Sequence, residues 1–219
     1  IWGVNIWVVI RQCFGIGVRT KNTRGYYATV ASLLAETKQL LRQLGLRARK
    51  RLGQHFLIDE EVLGLIISAA ELSPEDVVIE VGPGLGVVTR ELAPRVARLV
   101  SVELDGKLAG FLEKTMASLG NVSVINRDIL GVAPPTLLYG EPGGLTRYKV
   151  VANLPYYITS PVLRHFLEAS PRPALMVVMV QKEVAEAIAA GPGRMSVLSV
   201  SVQYYGKPEI IGYVPARCF

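Results

Sequence analysis

Five short runs of mostly branched apolar residues recur along the chain, four of them followed by a stretch with helical periodicity, and this alternation leaves few folds open. They are VVIEV (Val77–Val81), RLVSVE (Arg98–Glu103), VSVIN (Val122–Asn126), YKVVA (148–152) and ALMVVMV (174–180). A strand exposed on one face alternates apolar and polar residues, whereas a continuous apolar run suits a strand buried on both faces. Helices are expected after an Asp59 cap (Val62, Leu65, Ile66, Ala69), over Val87–Leu92 up to Pro94, over 105–118, after Ser160, and over 182–190 and 196–205. Residues 131–144, rich in Gly and Pro, read as a loop. The pattern predicts a doubly wound α/β domain with a mainly parallel sheet, whose ligands bind at the carboxyl ends of the strands.

Composition supports one large core: 219 residues, 50% hydrophobic and 19% charged, with mean hydropathy +0.34. No stretch offers the roughly 20 apolar residues of a membrane span. The longest candidate, residues 1–10, contains Asn5 and stops at Arg11. Cys13 and Cys218 stand at opposite ends without metal-ligand spacing, so neither a disulfide framework nor a zinc site is expected. A protein of the cytoplasm, with no membrane partner, fits these features.

The net charge of +6 is unevenly distributed. Residues 1–52 hold ten Lys/Arg against Glu36 alone, while 53–219 hold fourteen against seventeen acidic residues. Arg47, Arg49, Lys50 and Arg51 form the densest cluster, suited to contacting phosphates; a solvated charge run is the competing reading. Residues 1–26 show neither helical nor strand periodicity and receive no assignment. From Ala28, the residues Val30, Leu33, Leu34, Leu40, Leu41 and Leu44 share one helical face, with Gly45 suited to the cap. Three regions result: an extension (1–26), an amphipathic helix with a basic arm (27–52), and the α/β domain (53–219).

Chemistry is concentrated at the strand ends. Gly82-Pro83-Gly84-Leu85-Gly86 lets backbone approach a ligand, but its last glycine falls one residue early for a dinucleotide fingerprint. Glu103, 21 residues after Gly82, can accept from both hydroxyls of a ribose, a feature shared by nicotinamide and S-adenosylmethionine cofactors. Asp128, read as ending the third strand, is placed to accept from an adenine amino group. Asn153-Leu154-Pro155-Tyr156 closes the fourth run. If the Asn153 side-chain oxygen and the Leu154 main-chain oxygen accept both hydrogens of an adenine amino group, its nitrogen is biased towards tetrahedral geometry with the lone pair free. Pro155 would fix the backbone and Tyr156 would stack on an extruded base. His165 has no partner nearby in sequence and reads as structural.

GQHFL (53–57), EVGPGLG (80–86), SVELD (101–105), NRDIL (126–130), ANLPYYITSP (152–161), VQKEVAEAI (180–188) and SVQYY (201–205) occur in the order found in the ribosomal RNA adenine dimethyltransferases. The chain resembles that family from about Arg47 to Phe219, most closely its small-subunit type. The resemblance implies a Rossmann-like methyltransferase fold. It also implies transfer of methyl groups from S-adenosylmethionine to the amino nitrogens of two adjacent adenines near the 3′ end of small-subunit rRNA, within a pre-ribosomal particle during ribosome biogenesis. Cofactor contacts carried over are His55, Leu57, Gly82, Gly84, Glu103, Asp128 and Asn153. Many members have Asn where His55 stands, and His55 is not assigned as a base. Members continue past the equivalent of Phe219 with a Pro-rich turn, a last antiparallel strand and a small helical domain. The sheet is therefore expected to stop before that strand and to expose an edge, in a protein expected to be monomeric. Two alternatives remain: a large-subunit enzyme of the macrolide-resistance type, and a non-catalytic RNA-binding assembly or transcription factor.

Overall fold

Valine and isoleucine facing both ways leave a strand no solvent side, and the computed structural model buries these runs accordingly. It describes residues 5–12, 33–45, 56–138, 147–154 and 156–219. Among them, one sheet holds β1 (Asn5–Gln12), β2 (Val77–Val81), β3 (Arg98–Glu103), β4 (Val122–Asn126), β5 (Lys149–Asn153), β6 (Leu175–Gln181) and β7 (Gly206–Val214). Its spatial order is β4-β3-β2-β5-β6-β1-β7, and the five strands from β4 to β6 run parallel. Every residue of β2 is buried, whereas β4, at the edge, is only partly covered.

Helices cover both faces, as the doubly wound expectation requires. On one face Ile79, Val100, Val150 and Val178 pack with Leu163 and Phe166 of α6 (Thr159–Leu167), Ile188 of α7 (Lys182–Ile188) and Val202 of α8 (Val197–Tyr205). On the other, Val78, Leu99, Val151 and Val177 pack with Val62 and Ile66 of α2 (Glu60–Ala69) and Leu92 of α3 (Val87–Leu92). Side-chain caps start three of the helices where the sequence places them. Asp59 accepts from the Val62 N–H at 3.0 Å, Asp105 accepts from the Lys107 N–H at 2.9 Å ahead of α4 (Gly106–Met116), and Ser196 and Ser199 form a reciprocal capping box ahead of α8. The amphipathic helix α1 spans Leu33–Gln43 and is tied to α3 by a 2.9 Å Glu36–Arg90 ion pair; residues 28–32 lie outside the described residues.

Three expectations are corrected. Residues 131–144 are not wholly loop, because Pro134–Leu137 forms one helical turn, α5, with Pro at its first position. Beyond α8 the chain turns into β7, a half-buried strand that the sequence reading did not anticipate. Most consequentially, the N-terminal region has strand character. β1 pairs antiparallel with β6, from Asn5↔Gln181 to Arg11↔Leu175, and antiparallel with β7, with a register shift between Trp7 and Val8. The edge of β6 is thus covered rather than open. Residues 5–10 are all buried, Ile6, Val8 and Ile10 in one core and Trp7 and Val9 in the other. A strand buried on both faces carries no alternation, so residues 5–12 show no period of two in sequence.

Placing proline at Val8, between two hydrogen-bonded neighbours, removes a ladder donor inside a sheet and re-exposes the edges of β6 and β7. Val8→Pro is expected to lower unfolding stability by about 1 to 3 kcal/mol for the buried acceptor left unpaired and to promote aggregation, measured by urea denaturation and light scattering. An unchanged midpoint would remove β1 from the cooperative sheet.

Candidate functional site

A cavity of about 590 Å³ opens where β2, β3, β4 and β5 end. Its floor is the glycine loop. The Gly82 N–H donates to the Val102 carbonyl at 3.0 Å and the Gly84 N–H donates to Glu103 Oε2 at 3.1 Å, so the loop is tied to β3 by its own backbone. Gly86 starts α3 at φ +79°, and a Cβ there would lie 2.6 Å from Leu112 Cδ2, so this turn admits only glycine without a rearrangement.

Glu103 is 7% exposed. Its Oε1 accepts from the Asp105 N–H at 2.9 Å while Oε2 accepts from Gly84, which leaves each oxygen a further lone pair for a ligand. Burial pushes its pKa up, and the Asp105 and Gly84 N–H groups oppose that rise. Asn126 secures the neighbouring strand end by donating to the Glu103 and Leu104 carbonyls at 2.8 and 3.1 Å. Asp128 stands two residues beyond β4 rather than within it. It caps a short turn, accepting from the Leu130 N–H at 3.0 Å, and is exposed in the cavity wall.

Asn153 is the last residue of β5, half-buried and in the wall. Leu154 is buried in the core beneath α6, and Tyr156 opens a short turn of 3₁₀ helix, Tyr156–Ile158. The structure therefore gathers Leu57, Gly82, Gly84, Glu103, Asp128 and Asn153 around one cavity. His55, Pro155, Arg47, Arg49, Lys50 and Arg51 lie outside the described residues. His165 has a structural partner, with its Nε2 3.0 Å from the Val132 carbonyl oxygen.

The wall also includes residues that were given no role from sequence, among them Trp7, Phe56, Glu80 and Tyr157. Phe56 lies within GQHFL and Tyr157, 59% exposed, within ANLPYYITSP, two motifs already identified. Trp7 arrives from the far end of the chain, and no local signal links it to this site. Glu80 lies inside β2, where the pattern asks for an apolar residue, and that discrepancy is the available signal. Its Oε2 accepts from Thr89 Oγ1 and Ser101 Oγ, both at 2.8 Å, so one carboxylate clamps α3 and β3 to the strand that leads into the glycine loop. Burial raises its pKa to about 7; the two hydroxyls oppose the shift, and nearby Glu103 adds to it. Among the described residues no cluster of three His, Cys, Asp or Glu could hold a metal ion, and no helix is long and apolar enough to cross a membrane.

An acid with a raised native pKa binds its proton more tightly folded than unfolded, so its stabilising effect is present at low pH and is lost as pH rises from about 4.5 through about 7. Glu80 alone is expected to remove up to about 3 kcal/mol across that window. Glu80→Gln keeps an acceptor for both hydroxyls but cannot ionise. Its urea midpoint should therefore fall less between pH 5 and pH 8 than that of the unsubstituted protein, with Glu103 contributing to the slope that remains. Parallel pH profiles would remove Glu80 as the titrating group.

Comparison with known proteins gives consistent matches. The family described as Ribosomal RNA adenine dimethylase matches residues 45–219. A Dehalococcoides mccartyi protein named Ribosomal RNA small subunit methyltransferase A is 51% identical over 188 residues, covering 86% of this chain and 63% of that protein. Its namesake from Moorella thermoacetica is 44% identical over 189 residues, covering 84% and 66%. The chain thus spans a little under two thirds of the length of these relatives. Among solved structures, the 23S rRNA methyltransferase ErmE superposes with TM-score 0.58 at 35% identity, covering 67% of this chain and 56% of that one. A dimethyladenosine transferase from Plasmodium falciparum gives 0.58 at 27% identity, covering 68% and 52%. With its glycine loop, its strand-end acids and Asn153 meeting in one cavity, and with the family match covering most of its length, the chain belongs to the ribosomal RNA adenine dimethylase family.

Proposed function

We propose that this chain carries the catalytic part of an enzyme that transfers methyl groups from S-adenosylmethionine to the exocyclic amino nitrogens of two adjacent adenines near the 3′ end of small-subunit rRNA. The substrate is a pre-ribosomal particle in the cytoplasm. The observation that carries this reading is the convergence of Gly82, Gly84, Glu103, Asp128 and Asn153 on one cavity, in a chain about half identical to proteins named for small-subunit rRNA methylation.

The residues present suit the cofactor. The glycine loop leaves space that side chains would fill, with a Cβ at Gly84 falling 3.2 Å from the Phe56 ring. Glu103, held by two backbone N–H groups, keeps acceptor capacity for a ribose, and Asp128 at the neighbouring strand end receives the adenine. When bound, S-adenosylmethionine supplies an electrophilic methyl group on a sulfonium sulfur.

The remaining work belongs to the chain. An adenine amino nitrogen is a weak nucleophile because its lone pair is delocalised into the ring. The Asn153 side-chain oxygen and the Leu154 main-chain oxygen accept its two hydrogens and bias the nitrogen towards tetrahedral geometry. Pro155 holds that turn, and Tyr156 stacks on the extruded base. No base is needed before attack, since the proton leaves the nitrogen after the new N–C bond has formed. The arm of Arg47, Arg49, Lys50 and Arg51 contacts RNA phosphates.

The superposition on a 23S rRNA methyltransferase favours a second reading, a large-subunit substrate, and the higher identity to small-subunit relatives favours the first. Methyl incorporation into purified unmodified small and large subunits decides between them, and label entering only large subunits would overturn the proposal. A non-catalytic role predicts no incorporation into either. In the full-length protein Asn153→Ala is expected to slow transfer about 100-fold or more while cofactor affinity falls much less; near-normal turnover would remove Asn153 from the mechanism. Glu103→Ala is expected to act first on binding, costing roughly 1.5 to 3 kcal/mol per lost hydrogen bond by calorimetry. Unchanged affinity in a folded variant would leave the ribose without this partner.

A further inference from the structure

Trp7 is 1% exposed, lines the cavity, and has a buried indole Nε1 with no hydrogen-bond acceptor among the described residues. Buried indole N–H groups ordinarily find partners, so an orphan in the wall of a ligand cavity requires an explanation. Asn5, on the same strand, also has an unpartnered oxygen but does not line the cavity.

The sheet places Trp7 at one end of the site. Asp128, Glu103, the glycine loop and Asn153 follow one another along β4, β3, β2 and β5. Asn153 is in register with Met179 of β6, and Met179 with Trp7 of β1. Trp7 therefore lies in the same lateral row as Asn153, two strands away or about 10 Å, on the side opposite Asp128. A ligand with its adenine at Asp128 and its ribose at Glu103 directs its remaining end towards Asn153 and the wall formed by Phe56, Leu57 and Trp7.

We infer that Trp7 is a cofactor-binding residue whose indole N–H donates to the carboxylate of the amino-acid tail of S-adenosylmethionine. The inference rests on the cofactor reading above and extends it to a strand outside residues 45–219, the stretch matched by the family. Indole nitrogen only donates, the ammonium of the tail only donates, and the carboxylate is the strong acceptor available at that end.

The test uses the full-length protein and two ligands, S-adenosylhomocysteine, which keeps the amino-acid tail, and 5′-methylthioadenosine, which lacks it. Trp7→Phe retains an aromatic ring and removes the donor. Calorimetry is expected to show affinity for S-adenosylhomocysteine falling about tenfold or more, with affinity for 5′-methylthioadenosine changed less than about twofold. Equal losses for both ligands would overturn the inference, making Trp7 a shaping residue. No loss for either would also overturn it, placing the acceptor elsewhere, in a bound water or the RNA. If the unsubstituted protein binds neither ligand, the cofactor reading itself has failed.

A second measurement does not depend on Trp7→Phe folding. Residues 1–219 hold two tryptophans, Trp2 and Trp7, so in the ¹⁵N-labelled 219-residue chain Trp2→Phe leaves a single indole signal. That N–H proton is expected to move downfield with S-adenosylhomocysteine and to move little with 5′-methylthioadenosine. The same response to both, or to neither, would overturn the assignment.

Discussion

The ladder that β1 forms with β6 on one side and β7 on the other joins the two ends of this chain into one sheet. It covers the edge of β6, supplies buried residues to both cores, and carries Trp7 to the cavity wall. Backbone groups at an edge must be paired or solvated, and an uncovered edge beside Val177, Val178 and Val180 would invite pairing with another chain. Arg11 reinforces the junction by pairing with Glu71 and with Glu209 of β7. These pairs are partly exposed, so the apolar burial of Ile6, Val8, Val9 and Ile10 is the larger contribution.

Three carboxylates at successive depths organise the site, and their surroundings separate their tasks. Glu80 is 3% exposed and bound by two hydroxyls, so its hydrogen bonds position secondary structure. Glu103 is held by backbone N–H groups on both oxygens yet borders the cavity, which fixes its orientation while leaving lone pairs available. Asp128 is exposed and spends one oxygen on a turn. The order from buried clamp to exposed acceptor follows the path from the core of β2 to the open edge at β4, the direction in which solvent access increases.

The parts of the fold legible in the sequence are those in which one residue reports on one environment. VVIEV reads as a buried strand because every position is covered, and Asp59, Asp105 and Ser196 read as helix starts because capping is a contact within three residues. β7 was not legible: it starts at Gly206 with Pro208 close behind, and its half-buried residues follow no clean alternation. Trp7 was illegible for another reason. Its role depends on a pairing partner, Met179, that lies more than 170 positions away.

The sequence by itself determined the class of fold, the glycine loop, and the acids and amide at the strand ends, because hydrophobic runs and short motifs act over a few residues. Tertiary structure alone decided that these groups share one cavity, that Leu154 turns into the core while Asn153 stays in the wall, and that Glu80 becomes a clamp. It also decided the place of residues 5–12. A doubly buried apolar strand is specified by its neighbours on both sides, and those neighbours, β6 and β7, lie at the other end of the chain.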